Sequence, residues 1–322
     1  MYNLIILIIK FLFIIIPTLL SVAFLTLLER KILGYSQLRK GPNVVGLYGN
    51  LQPLSDGLKL FSKELLIPSH VDLFLYFSAP ILSLTIAFVV WFIIPVNIST
   101  SVIYINFNLL LILALSTIGV YAILISGWSS NSKYSFLGSM RAAAQMISYE
   151  ICLGLILISA ILISGKINLN NIITTQENSI IFLIPLFPFA IMFFISSLAE
   201  THRAPFDLTE GESELVSGFN VEYSSMSFAL FFLAEYSHII FMSALFSILF
   251  LGGFSFFRIT SFLFLFIKTG ILCFVFVWVR TSFPRLRYDQ LMSLLWKSYL
   301  PISLFLVIFI NSIIWTFNAL PY

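Results

Sequence analysis

Eight apolar stretches, each about long enough to cross a bilayer as a helix, dominate this chain: residues 4–28, 72–95, 102–127, 140–163, 179–200, 224–250, 260–281 and 301–319. About 20 apolar residues cross a ~30 Å hydrocarbon core as a helix. Lipid offers no water to a peptide backbone, so such a run must satisfy its own N–H and C=O groups, as a helix does. Composition agrees, with 60% of the 322 residues hydrophobic and only 10% charged. Soluble domains carry about 25% charge, so this chain has too little to cover a water-soluble globule. The expected fold is an all-α polytopic membrane protein, one membrane domain over 1–322 with eight transmembrane helices. The first run, Leu4 to Leu28, is too long for the apolar region of a signal peptide and reads as a retained helix.

Several functional classes fall away. Cys152 and Cys273 lie far apart in apolar runs, with no C-x-x-C or Cys/His cluster to hold zinc or an iron–sulfur centre. No glycine-rich nucleotide fingerprint occurs. The net charge of +3 comes from basic residues scattered among loops, which argues against nucleic acid. Their placement instead gives an orientation. Loops following the odd-numbered spans, with the span ends that border them, hold thirteen of the seventeen Lys and Arg residues; Lys10, Lys166, Arg258 and Lys268 are the rest. Basic loops stay on the cytoplasmic or matrix side, so both termini are expected on the outer side. Heavy use of Phe (35 residues), with Ile, Asn and Tyr, fits AT-rich, organelle-type coding.

The inner loops carry the chemistry. In the first, Leu51, Leu54, Leu58, Phe61 and Leu65 recur at helical spacing, with Asp56, Lys59 and Lys63 off that stripe. This predicts an amphipathic interfacial helix over about 51–66, either lying in the headgroup boundary or serving as a packing strut. The third inner loop, 200–223, holds Glu200, Asp207, Glu210, Glu212, Glu214 and Glu222 against Arg203 alone. Crowded carboxylates repel one another and raise each other's pKa, which suits proton uptake; the plainer alternative is a solvated acidic loop. A hard cation would also suit these oxygens, but the EF-hand spacing is missing.

Three acids sit in or at the end of spans: Glu150, Glu200 and Glu235. A charge at mid-bilayer costs roughly 2.5–3.5 kcal/mol on insertion scales, so such acids face protein or a wet cavity and mark proton or ion paths. The alternative is a neutral, hydrogen-bonded core acid. His238 lies three residues after Glu235 on the same helix face, and Arg141 shares a face with Gln145 and Ser148.

Five stretches carry a family resemblance: ERKILGYSQLRKGPNVVG from Glu29, LQPLSDGLKL from Leu51, RAAAQMISYE from Arg141, AETHRAPFDLTEGESELVSGFNVEY from Ala199, and RTSFPRLRYDQ from Arg280. Together they resemble the subunit 1 family of mitochondrial NADH:ubiquinone oxidoreductase, respiratory complex I, over essentially the whole chain. The resemblance implies a membrane-arm subunit beneath a hydrophilic arm. Glu29, Arg30, Asp56, Arg203 and Arg280 would line or border the quinone tunnel. A proton or charge relay would run through Asp207, Glu210, Glu212, Glu214, Glu150, Glu200 and Glu235. It implies no cofactor bound by this chain, ubiquinone as substrate, and FMN and iron–sulfur clusters in partner subunits. The implied partners are the hydrophilic-arm quinone-site and iron–sulfur subunits, the small membrane-arm subunits, the antiporter-like subunits and the lipid bilayer. The implied location is the mitochondrial inner membrane, with both termini in the intermembrane space. One departure is Gly57, where relatives often carry Ala beside the aspartate. Competing expectations are the anchor subunit of a membrane-bound hydrogenase, a free-standing secondary transporter using Glu150 and Glu235, and a purely structural anchor.

Overall fold

The computed structural model of the chain describes residues 2–96, 105–207, 218–256 and 259–317. Its helices in chain order are α1 (Tyr2–Ser36), α2 (Gln52–Ser62), α3 (Leu73–Trp91), α4 (Asn108–Ser129), α5 (Lys133–Ser164), α6 (Leu169–Asn178), α7 (Phe187–Glu200), α8 (Ser225–Phe250), α9 (Phe262–Ser282), α10 (Tyr288–Leu294) and α11 (Leu300–Thr316). A π-helical turn, Leu295–Tyr299, joins α10 to α11. The described residues also contain a short antiparallel pair, β1 (Ser255–Phe256) with β2 (Ile259–Thr260). The architecture is an all-α membrane bundle. Among the described residues seven helical segments are long and apolar enough to cross a bilayer, and α7 is a shorter apolar helix.

Helix α8 is the hub, packing against α1, α3, α7 and α9. Its buried residues include Phe231, Phe241, Leu245, Ile248 and Phe250 and surround the helix, as expected of one with protein on all sides. The main core joins α8 to α5 and α7, while a smaller cluster around Tyr76, Phe219, Tyr223 and Phe231 closes one end of the bundle. There the Tyr76 and Tyr223 rings stack 4.2 Å apart, and the Tyr76 hydroxyl donates to the Glu222 carbonyl at 2.7 Å. Gly138 on α5 makes this possible, since a Cβ there would lie 2.8 Å from the Gly218 backbone. At the other end, Lys268 Nζ donates to the carbonyls of Leu251 (2.6 Å), Gly253 (3.0 Å) and Ser255 (2.7 Å), satisfying groups left open past the end of α8. The bundle's flanks are apolar: Phe13, Phe74 and Ile308 are among its most exposed residues. Water would not tolerate so large an apolar surface, whereas acyl chains do.

Several elements differ in extent from the apolar runs. The apolar run of 179–200 contains only a 14-residue helix, α7, which rises about 21 Å. Pro185 and Pro188 explain the late start, because proline disfavours helical backbone in the residue before it. The preceding turn keeps its backbone satisfied: Leu183 N donates to Phe250 O at 3.0 Å and Phe182 N to Gln176 Oε1 at 3.4 Å. That is how irregular backbone is tolerated inside such a bundle. Helix α6 arises from a polar stretch, started by the Asn168 side chain accepting from Asn170 N at 3.0 Å. Helix α5 begins at Lys133 behind its Ser132 cap, and its 32 residues span about 48 Å. Upstream of Pro301 the helix continues back to Tyr288, and the π turn falls where that proline's missing N–H breaks the ladder.

Candidate functional site

Glu29 is the centre of the site. Helix α1 runs on past its apolar stretch to Ser36, so Glu29 stands on a continuous helix facing inward, its side chain 6% exposed. Arg203, just after α7, donates from Nη1 to Glu29 Oε1 at 3.1 Å. Arg280, in the last turn of α9, donates from Nη1 to the same oxygen. The Tyr236 hydroxyl, from the middle of α8, donates to Oε2 at 2.6 Å. Arg203 also lies over the Tyr236 ring, 4.3 Å from its centroid. Leu25, Ile239, Phe276 and Val277 complete an apolar-walled pocket around this group.

Two guanidinium groups against one carboxylate leave the pocket net positive. Burial opposes the Arg203 charge, but the Glu29 carboxylate outweighs it and holds the guanidinium protonated well beyond its ordinary range. Arg203 Nη2 is buried and has no hydrogen-bond partner. A donor of fixed charge, shielded from water and not used up by Glu29, suits an oxygen that becomes negative during reaction.

The turn that carries Arg203 is fastened from two sides. Gln145 on α5, fully buried, donates from Nε2 to Ala199 O (2.8 Å) and Phe206 O (3.0 Å), bracketing the segment. Leu286 N donates to Pro205 O at 3.0 Å, and Arg285 Nη2 pairs with Asp207 Oδ2 at 3.0 Å. Arg203 is thus joined by Arg280 and Arg285 from the segment at the end of α9, which loop-by-loop charge counting does not reveal.

Behind this cluster, between α3, α4, α5, α7 and α8, lies a cavity of about 110 Å³. Its walls are mostly apolar, but Ser116, Glu200, His202, Glu235 and His238 share them. His238 Nε2 lies 3.3 Å from Glu200 Oε1, linking α8 to α7, while Glu200 Oε2 is buried without a partner. The Ser116 hydroxyl donates to Glu150 Oε1 at 2.7 Å. His202 is buried with both ring nitrogens unpartnered. Burial, with His238 and Arg203 nearby, lowers its pKa to about 4, so the ring is neutral.

The sequence-predicted residues therefore fall into three groups. Glu29, Arg203 and Arg280 meet in one pocket, and Glu200 and Glu235 share the cavity wall with Glu150 tied to it through Ser116. Arg30 and Asp56 form a separate, exposed pair at 2.6 Å between α1 and α2, with Gln52 Nε2 donating to Asp56 Oδ1 at 3.1 Å. Helix α2 itself turns Leu54, Leu58 and Phe61 outward. Asp207 pairs with Arg285, and Glu210, Glu212 and Glu214 lie outside the described residues. Reading the sequence did not single out Tyr236, His202, Gln145 or Arg285 as site residues. The available signals were a polar amide on the Arg141–Ser148 face for Gln145, and a titratable ring beside Arg203 for His202.

Comparison with known proteins adds the family. The NADH dehydrogenase family matches residues 9–311. The NADH-ubiquinone oxidoreductase chain 1 of Metridium senile is 59% identical over 318 residues, covering 98% of this chain and 95% of the relative. That of Chondrus crispus is 53% identical over 322 residues, covering 98% of each. That of Oncorhynchus mykiss is 57% identical over 297 residues, covering 91% of each.

Proposed function

Because the chain belongs to the NADH dehydrogenase family, we propose that it is the membrane-arm subunit on which quinone reduction is coupled to proton movement in a proton-pumping NADH:ubiquinone oxidoreductase, respiratory complex I. The observation that carries this reading is the Glu29–Arg203–Arg280–Tyr236 cluster, a buried, net-positive pocket with an unused guanidinium donor beside an apolar wall. Ubiquinone has an apolar tail and two carbonyl oxygens that gain electron density on reduction. Fixed cations beside an apolar wall match the chemistry of both ends of that molecule. On this reading Glu29, Arg30, Asp56, Arg203 and Arg280 line or border the tunnel, and Tyr236 belongs with them.

Reduction of one quinone to quinol takes up two electrons and two protons. The electrons arrive from an iron–sulfur cluster of a hydrophilic-arm partner, FMN lies further upstream in another partner, and this chain holds neither. Arg203 and Arg280 stabilise the transient negative charge through their guanidinium donors. Asp207 with Glu210, Glu212 and Glu214 answers by proton uptake, and Glu200, Glu150 and Glu235 pass the electrostatic change sideways toward the antiporter-like subunits. The cavity that gathers Glu200 and Glu235, with Ser116 reaching Glu150, supports that route. Coulomb coupling in so poorly hydrated a region is stronger than in water. The complex would sit in the mitochondrial inner membrane, with the basic loops toward the matrix, α2 along the headgroup boundary and both termini in the intermembrane space. In the isolated, reconstituted complex, Glu150→Gln and Glu235→Gln are expected to lower protons pumped per electron, slow turnover, or both. Native values of both quantities in both variants would rule the relay out.

A further inference from the structure

His238 links two of the carboxylates in the cavity wall. It follows Glu235 by three positions on α8, so both side chains lie on one helix face. Its Nε2 reaches Glu200 Oε1 on α7 at 3.3 Å. The ring also stacks on Phe241, with centroids 5.7 Å apart and planes inclined by 24°. A neutral imidazole has one N–H donor and one acceptor nitrogen, and a carboxylate only accepts. Glu200 therefore assigns the hydrogen to Nε2 and leaves Nδ1 as the acceptor. His238 is open where His202 is closed: its side chain is 22% exposed and lines the cavity. Both ring nitrogens of His202 and Glu200 Oε2 are buried away from solvent, whereas His238 Nδ1 is not among the buried atoms. Among the described residues nothing bonds to that nitrogen. One water needs about 10–15 Å³ and a few polar partners. The cavity of about 110 Å³ has that room beside Ser116, Glu235 and His238.

We propose that His238 is a proton-loading residue, which takes a proton from Glu235 at Nδ1 and releases it from Nδ1 toward the Ser116–Glu150 pair, while its Nε2–H stays on Glu200. The inference rests on the proton-coupling reading above and adds to it a group outside the carboxylate series. Loading breaks the O–H bond of protonated Glu235 and forms an N–H bond at Nδ1, through cavity water. Release breaks that N–H bond and forms an O–H bond on Glu150. There the Ser116 hydroxyl, which donates to Glu150 Oε1 at 2.7 Å, hands on its hydrogen as it takes one from water. One proton enters and leaves at the same nitrogen, no electrons move, and the ring returns to the tautomer in which it began. While loaded, the imidazolium faces the Glu200 carboxylate, which offsets its charge. Direction comes from Arg203, on the turn after α7, which attracts Glu235. Negative charge on a quinone beside Arg203 weakens that hold and lets Glu235 take up a proton. Neutralising the quinone restores the hold and drives the proton on to His238. His202, on the same turn, is neutral and adds no standing charge against loading. The described walls from α3 and α4 add hydroxyls, Ser83 and Ser116, and no charged group.

The test uses the intact complex in liposomes with two variants. His238→Gln keeps an amide N–H for Glu200 but loads no proton, and His238→Leu removes both. Assembly is followed by NADH staining on a native gel. In both variants NADH:ubiquinone turnover is expected to fall by roughly a hundredfold, with fewer protons pumped per electron. The pH–rate profile is expected to lose the inflection that a histidine gives between about pH 5 and 8. Native turnover, pumping and pH profile in His238→Gln would overturn the proposal, whatever His238→Leu does, because the bond to Glu200 would then be the whole role of the ring. So would loss of assembly in both variants, the imidazole then serving the fold alone. If His238→Gln behaves natively while Glu150→Gln has lost pumping, only this inference fails. If both behave natively, the carboxylate path fails with it.

Discussion

One carboxylate, Glu29, holds two guanidinium groups and a phenol, so its charge is felt in three elements at once. Glu29→Gln keeps the shape and removes the charge, leaving Arg203, with a side chain only 13% exposed, without its compensating anion. Breaking a buried ion pair from one side costs about 3–5 kcal/mol. Arg280 is 32% exposed, and solvent screens its share, so the total should fall toward the low end of that range. Expected results are less assembled complex, a lower melting temperature and a raised KM for quinone. Tyr236→Phe, which deletes one hydrogen bond to a charged acceptor, should cost less, about 1.5–3 kcal/mol. Calorimetry and quinone kinetics on the purified complex check both. A native melting temperature and KM in Glu29→Gln would mean that the cluster is not the electrostatic centre of the site.

At the scale of elements, the turn between α7 and the acidic loop depends on a neighbour's side chain rather than on its own sequence. Gln145→Leu would leave the carbonyls of Ala199 and Phe206 without their donor, at about 1–3 kcal/mol for each buried group. Faster amide exchange over 199–207 is expected, with α4 unchanged; unchanged exchange in that turn would show that the Gln145 contacts do not hold it. The same dependence explains what the sequence conceals. Apolar length marks the long helices, because a run such as 224–250 has no other stable state in lipid. The polar stretch that forms α6 gives no such signal, and only the Asn168 cap hints at it. The start of α7 is set by Pro185 and Pro188 inside an otherwise uninterrupted apolar run, and hydropathy averages across them.

Across the whole molecule, the site is assembled from residues far apart in the chain: Glu29 meets Arg203 across 174 positions and Arg280 across 251. No periodicity or spacing rule spans such distances. These three residues were legible only because the stretches around them resemble a family. Tyr236 was hidden for a physical reason: inside α8 it is one more aromatic in an apolar helix, until folding brings its hydroxyl to Glu29. The hub position of α8 unites the two halves of the account, since the helix that supplies Tyr236 to the pocket also supplies Glu235 and His238 to the cavity. On the proposed function, quinone chemistry on one face and proton movement on the other would share this one helix. Photo-crosslinking decides whether quinone is there at all. A photoreactive ubiquinone is irradiated in the intact complex, and the adducts on this chain are mapped by mass spectrometry. Adducts within 29–66, 203–214 or 280–287, suppressed by excess ubiquinone, are the expected result. Active complex that carries adducts elsewhere and none in those three segments would contradict the assignment of the Glu29 pocket to the quinone tunnel.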